Sequence, residues 1–170
     1  MATVTAGRAR TTKKIALAAK KRTPAPKKAA RAVKRPAPKA PPMARKTIDP
    51  GWAWDDGLPL AQARQIGNTI YVSGQVAYNA EGRLVGEGDM KAQTRQVFDN
   101  IKGVLTAAGS RLEDIIKINT YITDQSRFMD MIEVRKEIFG ANPPASTAVV
   151  VAGLAFPGLL IEVEAIAVKG

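Results

Sequence analysis

The stretch LLIEVEAIAV, residues 159–168, decides the fold, because apolar side chains occur at alternating positions on both sides of it. Its odd-numbered positions are all apolar. Its even-numbered positions are apolar at both ends, with Glu162 and Glu164 between them. Successive side chains of a β-strand point to opposite faces of the sheet, so this pattern predicts a strand that is covered on both faces.

Two amphipathic helices and further strands precede this stretch. Apolar residues recur every three or four positions over residues 89–108 and again over residues 126–139, which is the spacing of helices with one buried side. Strand patterns occupy residues 60–66, 69–75, 83–85, 115–122 and 146–154. The predicted order is β-β-β-α-β-α-β-β, an α+β fold with a mixed sheet and both helices on one face. The other face needs a different cover, and we expect it to meet another subunit.

Charge divides the chain at Asp49. Of the 26 Lys and Arg residues, 15 precede Asp49, whereas all 15 Asp and Glu residues occur from that position on. The first 48 residues are rich in Lys, Ala and Pro and contain no aromatic residue, a composition that cannot bury enough apolar surface to fold. We therefore predict a disordered basic tail over residues 1–48 and one domain over residues 49–170.

The tail has three interpretations. Its basic residues, at positions 8–46, favour binding of DNA or RNA phosphates without sequence preference, and hence association with a nucleoid. An organelle transit peptide is also basic and poor in acids, but such peptides are usually rich in Ser, and the first Ser here is Ser73. Met43 stands just before the domain and is an alternative start of the protein.

The chain contains no Cys and no His. This composition excludes disulfides, thiolate chemistry and the Ser-His-Asp relay, and it removes the commonest metal ligand, so we predict no metal site. The longest apolar run is interrupted by Glu162 and Glu164, so we predict no segment that spans a membrane and a cytoplasmic location. Catalysis would have to rely on carboxylates, hydroxyls, Lys or Arg, backbone N–H groups or bound water.

Several strings resemble the RidA/YjgF family in their order and spacing. They are GNTIYVSGQ (67–75), QTRQVFDN (93–100), AAG (107–109), DIIK (114–117), PAST (144–147) and IEVEAIAV (161–168). The resemblance implies a chorismate-mutase-like fold and a homotrimer with clefts between subunits. It also implies hydrolysis, without a cofactor, of reactive enamines and imines from amino-acid metabolism.

Position by position, the resemblance assigns the water-orienting Glu of the family to Glu162. It assigns the Ser-Gly turn that shapes the pocket to Ser73 and Gly74. Two family positions differ in this chain: the Arg that holds the substrate carboxylate corresponds to Ser146, and a pocket Tyr corresponds to Leu60. The chain therefore resembles a subgroup that lacks the substrate-binding Arg.

The residue types support the same candidates, each with a structural alternative. A carboxyl group on a strand with apolar neighbours on both faces is expected to have a raised pKa, which suits Glu162 to orient or deprotonate water. The alternative is a carboxylate that caps backbone N–H groups at an interface. Ser146 and Thr147 are either ligand contacts in place of the Arg or ordinary strand hydroxyls. Asn119, in a β-branched run, either faces the cleft or forms a sheet-edge hydrogen bond.

Together these observations favour a RidA-like hydrolase that acts on reactive imines, enamines or related small metabolites, with water oriented by Glu162. One alternative is a protein of the same fold that binds a small metabolite without catalysis. Another is a nucleic-acid-associated protein that binds through its tail. The negative net charge of the domain and the lack of His count against RNA cleavage by the fold itself.

Overall fold

The computed structural model describes residues 43–52, 55 and 57–170. The tail is predicted over residues 1–48, and its residues 1–42 lie outside the described residues. The strands are β1 (Arg45–Ile48), β2 (Ala63–Ile66), β3 (Thr69–Val76), β4 (Ile115–Ile122), β5 (Ala145–Val150) and β6 (Ile161–Val168). The helices are α1 (Met90–Ala107) and α2 (Phe128–Phe139), with short 3₁₀ turns at Leu112–Asp114 and Gln125–Arg127.

The six strands form one mixed sheet in the order β1-β2-β3-β6-β4-β5. β4 and β5 are parallel, and the other neighbouring strands are antiparallel. The predicted α+β class with a mixed sheet and two helices is confirmed. Within the described residues, no helix has both the length and the apolar character needed to cross a membrane.

β1 lies in the stretch that the sequence assigned to the tail. Arg45–Ile48 pairs antiparallel with Ala63–Ile66 of β2, and Ile48 is buried in the core. The folded part of the chain therefore includes these four residues, and the predicted boundary at residue 48 is too late. The strand could not be predicted from composition, because its first three side chains are exposed and two of them are basic.

Residues 83–85, which the sequence predicts to be a strand, do not form one in the structure. The structure has only an isolated bridge between Tyr78 and Leu84 there. Three residues with strand propensity do not commit the backbone to a sheet, because a strand is stabilised by its pairing with a neighbour.

Helix α1 has the ends that the sequence indicates. The Asp89 side chain accepts a hydrogen bond from the backbone N–H of Ala92 (3.1 Å) and caps the helix, and Gly109, with φ 70°, follows its end. α2 packs on α1, where the rings of Phe98 and Phe139 meet edge to face with centroids 5.3 Å apart.

The sheet consequently has two different faces. The covered face packs against the buried side of α1 and includes Ile161, Val163, Ala165 and Ala167 of β6, all buried. The open face carries the residues between them and their neighbours in register. Its members are Tyr71, Lys117, Asn119, Tyr121, Thr147, Val149, Glu162, Glu164, Ile166 and Val168.

Candidate functional site

A β-bulge lies where β3 passes β6. Val72 pairs with Ala165 and Gln75 with Val163, so Ser73 and Gly74 together oppose the single residue Glu164. A bulge of this kind adds one residue to one strand, bends it and redirects the neighbouring backbone. The Ser-Gly pair that the sequence singled out is therefore the bulge itself, on the central strand pair of the sheet.

Gly74 lies directly against the carboxylate of Glu162. A Cβ atom built on Gly74 would be only 1.9 Å from Oε1 of Glu162 and 2.8 Å from its Cδ. Any side chain at position 74 would take the space that the carboxylate occupies. The glycine is therefore explained by this close approach, and the two residues form one structural unit.

The carboxylate of Glu162 is half-buried, and no described residue donates a hydrogen bond to it. Burial raises its pKa above the ordinary value for Glu, and the negative charge of the nearby Glu164 raises the pKa further. Both oxygens are thus available to a water molecule or a substrate. A carboxyl group with a raised pKa is also better matched to proton transfer near neutral pH.

Glu164 is held in place by its neighbours, in contrast to Glu162. Its Oε1 accepts a hydrogen bond from Nδ2 of Asn119 (2.6 Å) and a longer one from the hydroxyl of Tyr121 (3.4 Å). The negative charge of Glu164 is the main cause that raises the pKa of Tyr121, with burial adding to it. This arrangement holds the carboxylate of Glu164 beside Glu162, whose own carboxylate has no such donor among the described residues.

Tyr121 is a site residue that sequence reasoning missed. It pairs with Glu162 across β4 and β6, and its hydroxyl reaches Glu164. A signal was present, because Tyr121 is two positions after Asn119 and must share its face of the strand. Asn119 stands out from the sequence because it is a polar residue among β-branched neighbours, whereas a Tyr is common in strands.

The structure places the other predicted candidates in different surroundings. Thr147 lies on the open face opposite Asn119, and its hydroxyl accepts a hydrogen bond from Nζ of Lys117 (2.7 Å). The hydroxyl of Ser73 donates to the backbone carbonyl of Ala61 (2.7 Å), so it is engaged with the backbone that precedes β2.

Ser146 is not brought to the same face. It pairs in parallel register with Ile118, which is fully buried on the covered side, and its own side chain is exposed on the edge strand β5. Within one chain, the position of the family Arg and Glu162 are therefore on opposite faces of the sheet. Leu60, the second family difference, is also exposed.

A concavity of about 160 Å³ lies on the open face, one step along the strands from Glu162. It is lined by Tyr71, Val72, Lys117, Asn119, Glu164, Ala165 and Ile166. The lining combines an apolar wall, one amine and one held carboxylate. Such a mixture of apolar surface with a few polar groups is typical of sites for small molecules.

Residues 57–169 match the protein family described as Endoribonuclease L-PSP. The chain is 44% identical to a RutC family protein of Pyrococcus horikoshii over 111 residues, which are 65% of this chain and 87% of that protein. It is 36% identical to the 2-iminobutanoate/2-iminopropanoate deaminase of Dermatophagoides farinae over 110 residues, which are 65% of this chain and 85% of that protein. The crystal structure of RidA from the Antarctic bacterium Psychrobacter is similar with a TM-score of 0.66 and 38% identity, covering 72% of this chain and 98% of that chain.

Proposed function

The chain belongs to the RidA/YjgF family, and from this premise we propose that it hydrolyses small reactive imines or enamines with water oriented by Glu162. One observation carries the proposal. The Glu162 carboxylate is half-buried against Gly74, and none of the described residues donates a hydrogen bond to it. A buried carboxylate without a structural partner is costly to maintain, and a role in the reaction accounts for it.

In the proposed reaction, Glu162 accepts a proton from water as the water oxygen bonds to the imine carbon. The imine reacts in its protonated form, so this addition gives a neutral carbinolamine, whose nitrogen then takes the proton from Glu162. The C–N bond breaks, the hydroxyl proton passes to the leaving ammonia, and ammonium and a carbonyl compound leave. Glu162 ends the cycle ionised, so it acts first as a base and then as an acid. The fixed negative charge of Glu164 favours the protonated, cationic form of the imine, which is the form that water attacks most readily.

The relative from Dermatophagoides farinae is named as a deaminase of 2-imino acids, which carry a carboxylate. In this chain the corresponding Arg position is Ser146, which has no charge to hold that carboxylate. A hydrogen bond to a charged group contributes about 1.5–3 kcal/mol. We therefore expect imines without a carboxylate to be used at least as well as 2-imino acids. Because Ser146 and Glu162 of one chain are on opposite faces, an Arg at position 146 would act with Glu162 of a neighbouring subunit, and Ser146→Arg should in that way shift the preference toward 2-imino acids.

We further propose that the open face is covered by other copies of the chain in a homotrimer with a metabolite cleft between subunits. Tyr71, Val149 and Val168 are 49%, 43% and 40% exposed on this face, which is an unusual amount of apolar surface for a central sheet. Sedimentation at micromolar concentration should give about three times the mass of the chain. A monomeric mass would contradict this assembly.

The test of the hydrolase uses imines generated in the cuvette. An amino-acid oxidase acting on 2-aminobutanoate supplies an imine with a carboxylate, and an amine oxidase acting on propylamine supplies one without. Semicarbazide traps the imine that is left, so an active protein lowers semicarbazone formation. We expect Glu162→Gln to reduce kcat/KM by about 10²–10⁴-fold on the better substrate.

The matched control is Glu87→Gln, which removes an exposed carboxylate and should leave the rate unchanged. If Glu162→Gln keeps its activity within about tenfold, Glu162 does not orient the water. If the wild type and Ser146→Arg are both inactive on both imines, the chain is a metabolite-binding member of the family and not a hydrolase.

A second candidate function rests on the charge of the tail. The basic residues at positions 8–46 occur without any acidic residue, a pattern that favours binding to nucleic-acid phosphates. We expect the full chain to shift DNA of mixed sequence in a gel at low salt, and a variant lacking residues 1–42 to lose the shift. An undiminished shift after the deletion would contradict a role of the tail.

A further inference from the structure

Arg135 of α2 is a basic residue without an acidic partner in the described part of the chain. The acidic residues of the same helix are engaged elsewhere: Asp130 and Glu133 pair with Lys91, and Glu137 pairs with Arg95. The Nε atom of Arg135 is buried and has no hydrogen-bond partner, while its Nη1 only contacts the sulfur of Met131 at 3.8 Å. Within the described residues, the carboxylates of α2 therefore pair with other cations, and none of them pairs with Arg135.

The side chain of Arg135 borders a concavity of about 180 Å³. It is lined by Ile132, Arg135, Lys136, Phe139, Gly140 and Pro143. Two of these side chains are cationic and none is acidic, whereas the other side chains are apolar. The concavity thus combines positive charge with apolar walls on one side of α2 and the loop that follows it.

A half-buried guanidinium with no partner needs a physical explanation. Burial lowers the pKa of Arg135, and no neighbouring carboxylate opposes that effect. The guanidinium nevertheless stays charged at any physiological pH, because its ordinary pKa lies far above neutrality. The partial loss of hydration is thus not compensated within the described chain, and an anionic ligand would compensate it.

We propose that this concavity binds the carboxylate of a small organic acid, with Arg135 holding the carboxylate and Ile132, Phe139 and Pro143 contacting a short apolar chain. The planar guanidinium matches two carboxylate oxygens at once, which a compact ammonium group cannot do. Inorganic phosphate would meet the charge but would leave the apolar walls without a contact. The charge and the walls together therefore favour a monocarboxylate of a few carbons.

This site is separate from the hydrolytic site proposed above. Glu162 belongs to the open face, whereas α2 packs on α1 through Phe98 and Phe139 on the covered side of the sheet. Binding to it is measured without turnover. A failed hydrolase assay would leave the carboxylate site standing, and a failed binding assay would leave the hydrolase standing.

The experiment titrates the full chain with sodium butyrate and follows backbone amide shifts by NMR. We expect saturable shifts at residues 132–143 with a Kd of about 0.1–10 mM, as befits so small a ligand. Butylamine, which has the same chain and the opposite charge, and inorganic phosphate should each bind about tenfold more weakly or worse. Equal binding of either probe would overturn the proposal, as would the lack of saturation by butyrate.

Arg135→Gln should weaken butyrate binding by about 10–100-fold, the loss of one charged hydrogen-bonding group. Lys102→Gln is the matched control, because it removes an exposed cation of α1 that does not line the concavity; we expect less than about a threefold change. The tail is present in every sample, so its own attraction for anions is the same for all variants. Unchanged affinity in Arg135→Gln would overturn the proposal.

If Arg135→Gln does not fold, Arg135→Lys provides the test. It keeps the charge and the long apolar stem but loses the planar fork, so we expect butyrate binding about 3–10-fold weaker than in the wild type. If Arg135→Lys binds butyrate as tightly as the wild type does, the planar guanidinium does not hold the carboxylate and the proposal is overturned.

Discussion

The two faces of the β-sheet carry different properties on the same strands. On β6, the covered face presents four buried apolar residues in alternation, while the residues between them present Glu162 and Glu164 to the open face. On β4, Ile118 is fully buried and its neighbour Asn119 contacts Glu164 on the other face. Each of these strands therefore supplies apolar residues to the core on one side and polar residues of the candidate site on the other.

The two carboxylates of β6 show a second difference within the open face. Glu164 accepts hydrogen bonds from Asn119 and Tyr121 and has a fixed position. No described residue donates a hydrogen bond to Glu162, and its carboxylate lies against Gly74, which has no side chain. A carboxylate fixed by hydrogen bonds, such as Glu164, provides a constant electrostatic field, whereas one without a donor, such as Glu162, can exchange protons. The proposed reaction needs both.

The largest expected effect is a difference in the free energy of unfolding between substitutions on the covered face and on the open face. Ile118→Ala should lower the free energy of unfolding by about 2–5 kcal/mol, because it removes buried methyl groups and leaves a cavity in the core. Asn119→Ala, one residue further along, should cost about 0.5–1.5 kcal/mol, the loss of one hydrogen bond. Urea unfolding of both variants measures the difference. Equal losses would break the distinction between the faces.

Gly74→Ala sharpens the comparison at the bulge. The new Cβ should displace the Glu162 carboxylate by an ångström or more, and a misplacement of about 1 Å can reduce the rate about 10²-fold. Stability should change little, because the displaced group is the end of a flexible side chain and Gly74 has no positive φ. Imine hydrolysis and Tm are measured together.

Ser73→Ala serves as the control for this substitution. It removes only the hydrogen bond to the carbonyl of Ala61, so we expect a rate within about fivefold of the wild type. If Gly74→Ala hydrolyses imines as fast as Ser73→Ala, the contact between Gly74 and Glu162 does not position the carboxylate.

The smallest expected effect is a dependence of stability on pH. Because burial raises the pKa of Glu162 in the folded chain, the folded state binds this proton more tightly than the unfolded state does. The stability associated with Glu162 is therefore fully present below its unfolded pKa and is lost as the pH rises through its folded pKa. Glu162→Gln should consequently be more stable than the wild type at pH 7 and no more stable at about pH 4.

Thermal unfolding of both proteins at the two pH values measures this difference. Glu87→Gln, at an exposed carboxylate, provides the baseline and should follow the wild type at both. A Glu162→Gln variant that is less stable than the wild type at pH 7 would mean that the carboxylate supports the fold.

The sequence was sufficient for the parts of the fold that local patterns determine. The alternation in β6 and the spacing of α1 agree with the structure, because burial on one side is directly visible in the order of the residues. β1 could not be predicted, since four residues with exposed basic side chains become a strand only through their pairing with β2.

The same limit applies to the site. Ser73 and Gly74 were recognised as a pair, but the contact between Gly74 and Glu162 depends on the bulge in β3 and on the register with β6. Ser146 and Thr147 are adjacent hydroxyls of one strand and therefore point to opposite faces, but only the register of β5 against β4 shows which of them is on the open face with Glu162. Register is a property of two strands together, so one strand's sequence does not contain it.

The most direct test of this account is the titration of Glu162 itself. Carbon-13 NMR of the side-chain carboxyl gives its pKa in the wild type and in Glu164→Gln. We predict a pKa above the ordinary range of Glu in the wild type, because the group is half-buried without a donor, and a lower pKa once the charge of Glu164 is removed. A wild-type pKa at or below the ordinary range would mean that the carboxylate is solvated or paired, and would contradict the claim that Glu162 is the free reactive group of the open face.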